Sequence, residues 1–555
     1  MVLNIFRVEE YFDYNKLIEK INESIFKKFN KDFSSRELIY EDKNKKIKLY
    51  GIYGVTDNTN NPNSWENNIT ELFGLSDAQK KIVNSSYGLI IINYNDEIYI
   101  ISFGRAYTLI SEYIDGDFGL KMASKVMNEK TIKTQSSKFY SMAKSKSITE
   151  YNNTTFETDF SESVDCLRGD LQEYTGRHYI DNLSNLIKTD KVKFTTSMEV
   201  STKNDFIDID DLNNIIYNIS SIYREYEERL PIPRLIPIRK SNETLLNILN
   251  NKLDYAIVNQ EFEDAKISIA FNKLNNSRFI FEQDVEGYIL YNERKSENNK
   301  LLECDNLTIE SISECMKEYN IDSIQKIKVE VIKVDGYKEM YKLIDLIDVI
   351  ITLENSNIYY TFDDGRWNRF NTNFQSKIED EIMDINKKIV KFDSRFDYNE
   401  EEVKECINTN KEEFQEIIEK GYRELEYNFW ISKKLNAILY DRALVDNLEI
   451  CDLYLNNNNL VHVKFGTPSN FKDCIEQSRD GALDYINNRE KVKNELGIDN
   501  VEKVGLVFIT DNIKVLEEQD ISFYTSLSMK ISLIYWRKFV VDHGLEPVII
   551  IGRKV

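Results

Sequence analysis

The sequence predicts a multidomain α/β and α+β protein, with β-rich N-terminal and middle domains and a C-terminal domain built on a mixed sheet. Three observations support this fold class. The chain has 555 residues, which is too many for one hydrophobic core. Hydrophobic residues make up 41% of it, enough to pack several domains. Its C-terminal part alternates helical and strand patterns, which is typical of a sheet covered by helices.

Composition narrows the functional classes. The formal net charge of -22 argues against non-specific coating of nucleic acid, because a phosphate backbone needs a positive surface, although a local basic cleft remains compatible. The six cysteines form no CxxC pair, and three histidines are too few for most multi-histidine metal sites. An acidic start and the lack of long apolar runs predict no secretory signal and no membrane association. We therefore expect a cytoplasmic protein.

The first third carries a β-hairpin pattern, "YGLIIINYNDEIYIISFGRAYTLI", in which two β-branched runs flank Asn95-Asp96. Arg105 follows the second run. Its guanidinium could contact a phosphate or a base edge, or pair with a local acid.

A lysine-rich segment follows at residues 118–147. Seven lysines accompany one acid, Glu129: Lys121, Lys125, Lys130, Lys133, Lys138, Lys144 and Lys146. With the interleaved Phe139 and Tyr140, this segment predicts contacts with a nucleic-acid backbone through Lys133, Lys138, Lys144 and Lys146. A solvated helix face is the alternative.

Prolines predict the first domain boundary. Half of the six prolines lie in "RLPIPRLIPIRK", which favours an extended segment from Pro231. The middle part has strand patterns in "KIKVEVIKV" and "NIYYTFDDGRWNRF", the second with a turn at Asp364-Gly365. A long charged helical pattern then predicts a solvated connector. The predicted domains are an N-terminal α+β domain at 1–230, a strand-rich domain at 231–375, the connector at 376–420 and a C-terminal domain at 421–555.

The C-terminal domain has eight predicted elements. In order they are helix "GYRELEYNFWISKKL", strands "AILYDRALV", "LEICDLYL" and "LVHVKFG", helix "FKDCIEQSRDGALDYINNREKVKNEL", strand "VEKVGLVFI", helix "SLSMKISLIYWRKFVVDHG" and strand "EPVIIIG". This alternation predicts a mixed sheet flanked by helices.

The stretch "EICDLYLNNNNLVHVKFG" contains an aspartate in one strand and a lysine in the next. Side chains alternate across a strand, so burying the apolar residues of both strands in one core requires Asp452 to share a side with His462 and Lys464. That match requires a connecting loop of three or five residues. Such a pair can serve phosphodiester hydrolysis, with the carboxylate on Mg²⁺ or Mn²⁺ and the lysine polarising water. A cross-strand salt bridge is the simpler interpretation.

The order of helix, strand, strand with Asp452, strand with "HVK" and helix resembles the PD-(D/E)XK nuclease superfamily. The resemblance implies a C-terminal restriction-endonuclease-like domain in which Asp452 and a helical glutamate bind a metal. Glu426 in "RELEYN" is the preferred glutamate and Glu424 the next choice. The Val463 carbonyl would complete the ligands, Lys464 would be the catalytic cation, and Gln477 would contact substrate.

The sequence departs from that superfamily at His462, where a carboxylate is expected. Imidazole is acceptable to Mn²⁺ but a poor ligand for Mg²⁺. His462 is therefore either a ligand or a group that orients water, or else it marks a degenerate domain that does not cleave.

Several stretches, including "SFGRAYTLI", "FDDGRW" and "ISFYTSLSMKISLIYWRKFV", resemble a group of uncharacterised, sporadically distributed bacterial proteins. Their distribution resembles that of restriction and phage-defence genes, which implies an antiviral role. We therefore expect a metal-dependent endonuclease acting on phage or modified DNA, with RNA, a homo-oligomer and a defence-system partner left open. The alternatives are a sensor of nucleic acid or a phage component that uses a degenerate nuclease fold, and a structural partner in a larger complex.

Overall fold

The computed structural model describes residues 1–29, 33–42, 45–57, 84–104, 106–139, 144–149, 158–173, 178–205, 207–260, 265–269, 285–334, 338–353, 358–363, 366–417, 423–441, 444–445, 448–456 and 458–554. The protein is a mixed α/β molecule with several sheets. It forms two compact units. Unit 1 consists of Met1–Phe139 and Lys144–Ser241, and unit 2 includes Asn242–Val555. The first unit thus continues through the proline segment beyond Pro231, where the sequence predicts the boundary.

Unit 1 is built on a ten-stranded antiparallel sheet within the described residues, with strand order β2-β3-β4-β5-β1-β10-β9-β8-β6-β7. Its strands are β1 (Val2–Arg7), β2 (Ser34–Asp42), β3 (Lys45–Asp57), β4 (Asn84–Tyr94), β5 (Glu97–Gly104), β6 (Ile132–Phe139), β7 (Lys144–Thr149), β8 (Glu162–Gly169), β9 (Ile187–Phe194) and β10 (Met198–Thr202). A short strand, β11 (Leu235–Pro237), lies in the proline segment. The helices are α1 (Tyr14–Phe29), α2 (Tyr107–Ile110), α3 (Phe118–Val126), α4 (Tyr179–Ser184) and α5 (Ile209–Glu225).

The sheet of unit 1 separates two hydrophobic cores. Ile5 and Phe6 are neighbours in β1 but belong to different buried clusters, because successive side chains of a strand point to opposite faces. The predicted hairpin is confirmed in β4 and β5, where Tyr94 pairs with Glu97. Asn95 and Asp96 have φ values of 50° and 64°, as a two-residue type I′ turn requires.

The first part of unit 2 contains two groups of antiparallel strands. Their bounds are β12 (Ala265–Ile269), β13 (Val285–Asn292), β14 (Lys300–Cys304), β15 (Ile327–Lys333), β16 (Lys338–Lys342), β17 (Ile347–Thr352), β18 (Tyr359–Asp363) and β19 (Arg366–Phe370), with helices α6 (Glu243–Asn259) and α7 (Ile309–Glu318). One group has the order β14-β13-β15-β16, and in the other β19, β18, β17 and β12 are successive neighbours. Asp363 pairs with Arg366, while the predicted turn residues Asp364-Gly365 lie outside the described residues.

The C-terminal part of unit 2 is organised around a six-stranded sheet, again counted over the described residues, with order β20-β27-β26-β25-β24-β21. The strands are β20 (Val390–Phe392), β21 (Ile438–Leu439), β22 (Leu444–Val445), β23 (Leu448–Glu449), β24 (Leu453–Leu455), β25 (Asn459–Phe465), β26 (Lys503–Thr510) and β27 (Glu546–Arg553). The helices are α8 (Thr372–Ile389), α9 (Glu400–Thr409), α10 (Lys411–Ile417), α11 (Arg423–Leu435), α12 (Pro468–Asn487), α13 (Arg489–Leu496), α14 (Ile513–Glu518) and α15 (Leu527–Asp542).

This sheet is mixed, as predicted. Strands β20, β27, β26 and β25 pair in parallel, whereas β24 and β21 are antiparallel. The predicted helix after β25 is divided at Asn488, and α14 was not predicted. The two predicted strands before β25 are each interrupted, which leaves four short pieces.

The described part of the predicted solvated connector at 376–420, residues 376–417, helps to build the C-terminal domain and so differs from that prediction. Helix α8 buries a stripe with helical spacing, formed by Phe374, Ile378, Ile382 and Ile385. Strand β20 extends the six-stranded sheet by pairing with β27. The charged residues of α8 lie on its solvent side. The prediction of a solvated connector considered these charges and not the apolar stripe between them.

Candidate functional site

The aspartate-lysine hairpin has the register that the apolar pattern demands. Leu455 pairs with Asn459, so residues 456–458 form a three-residue connection, one of the two predicted lengths. Leu453, Val461, Val463 and Phe465 lie in one buried cluster. Asp452 lies on the side of His462, whose Nδ1 is 3.9 Å from Asp452 Oδ2. The predicted sidedness of the pair is therefore confirmed.

Asp452 lies in the break between strands β23 and β24. Its backbone N–H donates to the Val461 carbonyl at 3.0 Å, and its carboxylate Oδ2 accepts from the Val463 N–H at 2.6 Å. The side chain thus takes the place of a strand carbonyl opposite Val463. Hydrogen bonds from backbone N–H groups to a carboxylate are charge-assisted and restrict its position. In an extended strand the Val463 carbonyl points to the same edge as its N–H, towards Asp452.

Glu424, the second choice of the sequence analysis, is the helical acid that contacts Lys464. Its Oε2 lies 3.0 Å from Lys464 Nζ, and the two side chains are 24% and 23% exposed. Burial alone would lower the pKa of Lys464, but the hydrogen bond and the charge of Glu424 outweigh burial and raise it. Glu426 is two residues further along α11, about 200° around the helix, so it faces elsewhere. Its charge acts on Tyr398 and Lys404 instead.

His462 is a buried, neutral ring. Its side chain is 2% exposed, and its Nε2 lies 3.1 Å from the Ile450 carbonyl oxygen. Since a carbonyl can only accept, Nε2 carries the proton and Nδ1 is left as an acceptor. Burial lowers the pKa of His462 to about 4. The position where the superfamily pattern expects a carboxylate therefore carries no charge near neutral pH.

Three carboxylates meet beside the hairpin. One oxygen each from Asp441, Glu449 and Asp452 lie within 4.8 Å of one another, and the three residues are half-buried. Asn428 on α11 donates from Nδ2 to Asp441 Oδ2 at 2.8 Å. Burial raises the pKa of Asp452 well above its ordinary value, and the nearby charge of Glu449 raises it further. The cluster therefore brings three acidic groups together in a partly desolvated place, where Asp452 releases its proton less readily than an exposed aspartate does.

The sequence analysis missed Asn428, Asp441 and Glu449. One signal was present, since Asn428 follows Glu424 by four residues and so shares its helix face. Asp441 and Glu449 border very short strands, and no periodic pattern assigns such residues to a face.

Helix α12 presents Cys474 to the site. The Cys474 thiol is fully buried, and burial followed by the charge of Asp452 raises its pKa well above the usual value. Gln477, the predicted substrate contact, lies exposed one turn later. Ser478 is buried and accepts a hydrogen bond from the Trp536 indole at 3.1 Å. At Gly481 an added Cβ would lie 2.4 Å from the Ile450 carbonyl oxygen, so α12 packs directly on the chain that carries the acids.

The predicted nucleic-acid contacts of unit 1 are distributed over several elements. Arg105 lies outside the described residues. Lys133 in β6 is 48% exposed and pairs with Asp170 at 2.5 Å. Lys138 is half-buried in β6, and for Lys144 and Lys146 only the backbone of β7 is described.

The lysine-rich segment is therefore not a single helix face. It forms α3, β6 and β7. Lys125 in α3 is buried and donates to the Tyr226 carbonyl.

The oxygen donors at the hairpin suit a hard divalent cation, because Mg²⁺ and Mn²⁺ prefer carboxylate and amide oxygens. Glu426 does not belong to this donor set, whereas Asp452 does. None of the described helices has the length and apolar character needed to cross a bilayer.

Comparison with known proteins gives one match. Neither the curated proteins nor the solved structures contain a significant match to the chain. A family model matches residues 3–471, which include every residue of the acidic cluster as well as His462 and Lys464. The chain therefore belongs to the family of unknown function DUF6119.

Proposed function

We propose that the protein is a metal-dependent nuclease whose C-terminal domain hydrolyses phosphodiester bonds in a PD-(D/E)XK-like site. One observation carries the proposal: Asp452 and Lys464 share one side of the hairpin, and Glu424 of α11 reaches the same place. The order of elements from α11 to α12 and the mixed sheet support the same superfamily likeness.

The donor set at Asp452 fits a divalent cation. Asp452 offers a carboxylate beside the edge to which the Val463 carbonyl points, and further acids lie within 4.8 Å. A bound Mg²⁺ or Mn²⁺ ion would polarise the phosphodiester and lower the pKa of a water nucleophile.

Lys464 would act as a fixed positive charge. Its raised pKa keeps the ammonium protonated near neutral pH, so it can donate to a phosphate oxygen but cannot serve as a general base. The ion pair with Glu424 orients the ammonium before substrate arrives. An ammonium held in this way stabilises charge that develops on phosphorus without reorganising during the reaction.

The substrate we propose is DNA, and the biological role we propose is defence against phage. The role follows from the likeness to sporadically distributed bacterial proteins. Unit 1 would then recognise the target or control the nuclease. Exposed Lys133 is the described candidate for a phosphate contact there, once its ion pair with Asp170 opens.

A second candidate is a sensor that binds nucleic acid or a phage component without cutting it. One observation favours it, since the central side chains already satisfy one another inside the protein. Asp452 accepts from Val463, Lys464 pairs with Glu424, and His462 donates to Ile450.

A cleavage assay distinguishes the two functions. The full chain is incubated with plasmid DNA, phage DNA, modified-base DNA and RNA in Mg²⁺ or Mn²⁺, and is compared with Lys464→Ala. The matched control is Lys472→Ala, which removes another partly buried lysine paired with an acid, Glu476, in the same domain. Cleavage that is lost only in Lys464→Ala supports the nuclease. Binding without cleavage in every condition rejects it in favour of the sensor.

A further inference from the structure

We propose that Asn428, Asp441, Glu449 and Asp452 form an all-oxygen site for one hard divalent cation. The inference rests on the proposed function in that both place a cation at Asp452. It goes further by replacing the expected ligands Glu426 and His462 with residues outside the superfamily pattern.

The distances match one coordination shell. The three carboxylate oxygens lie within 4.8 Å of one another. Ligands on opposite sides of an ion are separated by about 4.2 Å for Mg²⁺ and about 4.8 Å for Ca²⁺, which is twice the metal-oxygen distance. Three oxygens within 4.8 Å of one another lie at most about 2.8 Å from a common centre, a little beyond the metal-oxygen distance, so small side-chain rotations bring them onto one ion.

A buried amide oxygen supplies independent evidence for a ligand. Asn428 is 1% exposed, and its Oδ1 has no hydrogen-bond partner among the described residues. Its Nδ2 donates to Asp441 Oδ2 at 2.8 Å, so the amide lies against one carboxylate of the cluster. A buried carbonyl oxygen without a hydrogen-bond partner is unfavourable, and a cation is a partner that such an oxygen and three acids can share.

The close approach of the three acids also favours a cation. Asp441, Glu449 and Asp452 converge in a half-buried position. Carboxylates this close repel one another strongly when partly desolvated. A divalent ion offsets that repulsion.

His462 acquires a positioning role in this site. Its Nε2–H donates to the carbonyl of Ile450, which lies between the two ligands Glu449 and Asp452. The ring thereby fixes the chain segment that carries both carboxylates. Glu449 supplies the charge that the histidine does not, so an imidazole at this position is compatible with Mg²⁺.

Calorimetric titration of the EDTA-treated full chain with MnCl₂ tests the inference, and competition with MgCl₂ tests the preference for hard ions. The wild type is expected to bind one ion per chain at this site. Glu449→Gln and Asp441→Asn are each expected to lower the affinity by about tenfold or more. Glu426→Gln is the matched control, since it neutralises a half-buried acid outside the cluster, and it is expected to bind as the wild type does.

Thermal unfolding keeps the test valid if a variant is less well folded. Whatever its melting temperature in EDTA, Glu449→Gln is expected to gain much less from added Mn²⁺ than the wild type does. Wild-type affinity in Glu449→Gln and Asp441→Asn, or no Mn²⁺ binding by the wild type, would overturn the inference. Cluster-dependent Mn²⁺ binding without any cleavage supports this site while rejecting the nuclease. Lys464-dependent cleavage that persists in Glu449→Gln rejects this ligand set alone.

Discussion

The contact between Glu424 and Lys464 can be measured with a double-mutant cycle. The variants are Glu424→Gln, Lys464→Met and their combination, with a parallel cycle in which Glu426→Gln replaces Glu424→Gln. Both glutamates lie in α11, two residues apart. The helix orientation directs only Glu424 to Lys464, at 3.0 Å. The cycle isolates the pairwise energy because the other effects of each single change, including relief of repulsion on Asp452, cancel.

The magnitude follows from the exposure of the pair. Exposed ion pairs contribute about 0.2–1 kcal/mol, whereas breaking a buried pair costs about 3–5 kcal/mol. With side chains 23% and 24% exposed, this pair lies between those limits. We expect a coupling free energy of about 1–2 kcal/mol for Glu424 and Lys464, and less than about 0.3 kcal/mol for Glu426 and Lys464.

Urea unfolding followed by tryptophan fluorescence measures the four stabilities of each cycle. Trp430 lies in α11 and is buried in the same domain, so its emission reports the relevant transition. The comparison uses the transition in which that domain unfolds, at one fixed pH and low salt. Equal coupling for the two glutamates, or stronger coupling for Glu426, would show that the assigned orientation of α11 is incorrect.

Three further predictions concern the same domain. Burial lowers the pKa of Lys530 from 10.5 to about 8, so the unfolded chain binds more protons than the folded chain between these pH values. Lys530→Met should therefore stabilise the protein below pH 8 by up to about 3 kcal/mol. Urea melts at several pH values should show this gain disappear as the pH rises towards 10.5. Gly481→Ala should destabilise the protein by about 1–3 kcal/mol in thermal melts, because the added Cβ would lie 2.4 Å from the Ile450 carbonyl oxygen. Alanine favours helices, so an unchanged or higher melting temperature would contradict this close packing. In EDTA, Asp452→Ala should lose about 1–3 kcal/mol more unfolding free energy than Asp452→Asn, because only asparagine retains an acceptor for the Val463 N–H. Equal urea midpoints for the two variants would show that this hydrogen bond does not stabilise the hairpin.

The register of the hairpin shows what a periodic pattern can predict. A strand has a side-chain period of two, so burying Leu453 and Val461 in one core leaves Asp452 on the side of His462 when the loop has three or five residues. Turn chemistry predicted the turn at Asn95-Asp96, because two β-branched runs flank it and few other residues accept its φ values of 50° and 64°. These features depend only on neighbours along the chain.

The choice between Glu424 and Glu426 depends on a different kind of information. Both residues lie in the first turn of α11. The helical period shows only that their side chains point in different directions. Which of them faces Lys464 depends on how the helix rotates to bury Tyr427 and Trp430.

The apolar alternation of the sequence was by itself enough to predict a mixed sheet flanked by helices in the C-terminal part and, for a loop of three or five residues, the common side of Asp452 and Lys464. Only the tertiary structure decided that Asn428, Asp441 and Glu449 join Asp452. These residues come from a helix and from the ends of very short strands, and such segments have no period long enough to define a face. Their convergence results from packing between elements distant in sequence, such as the close contact of α12 with the Ile450 backbone at Gly481.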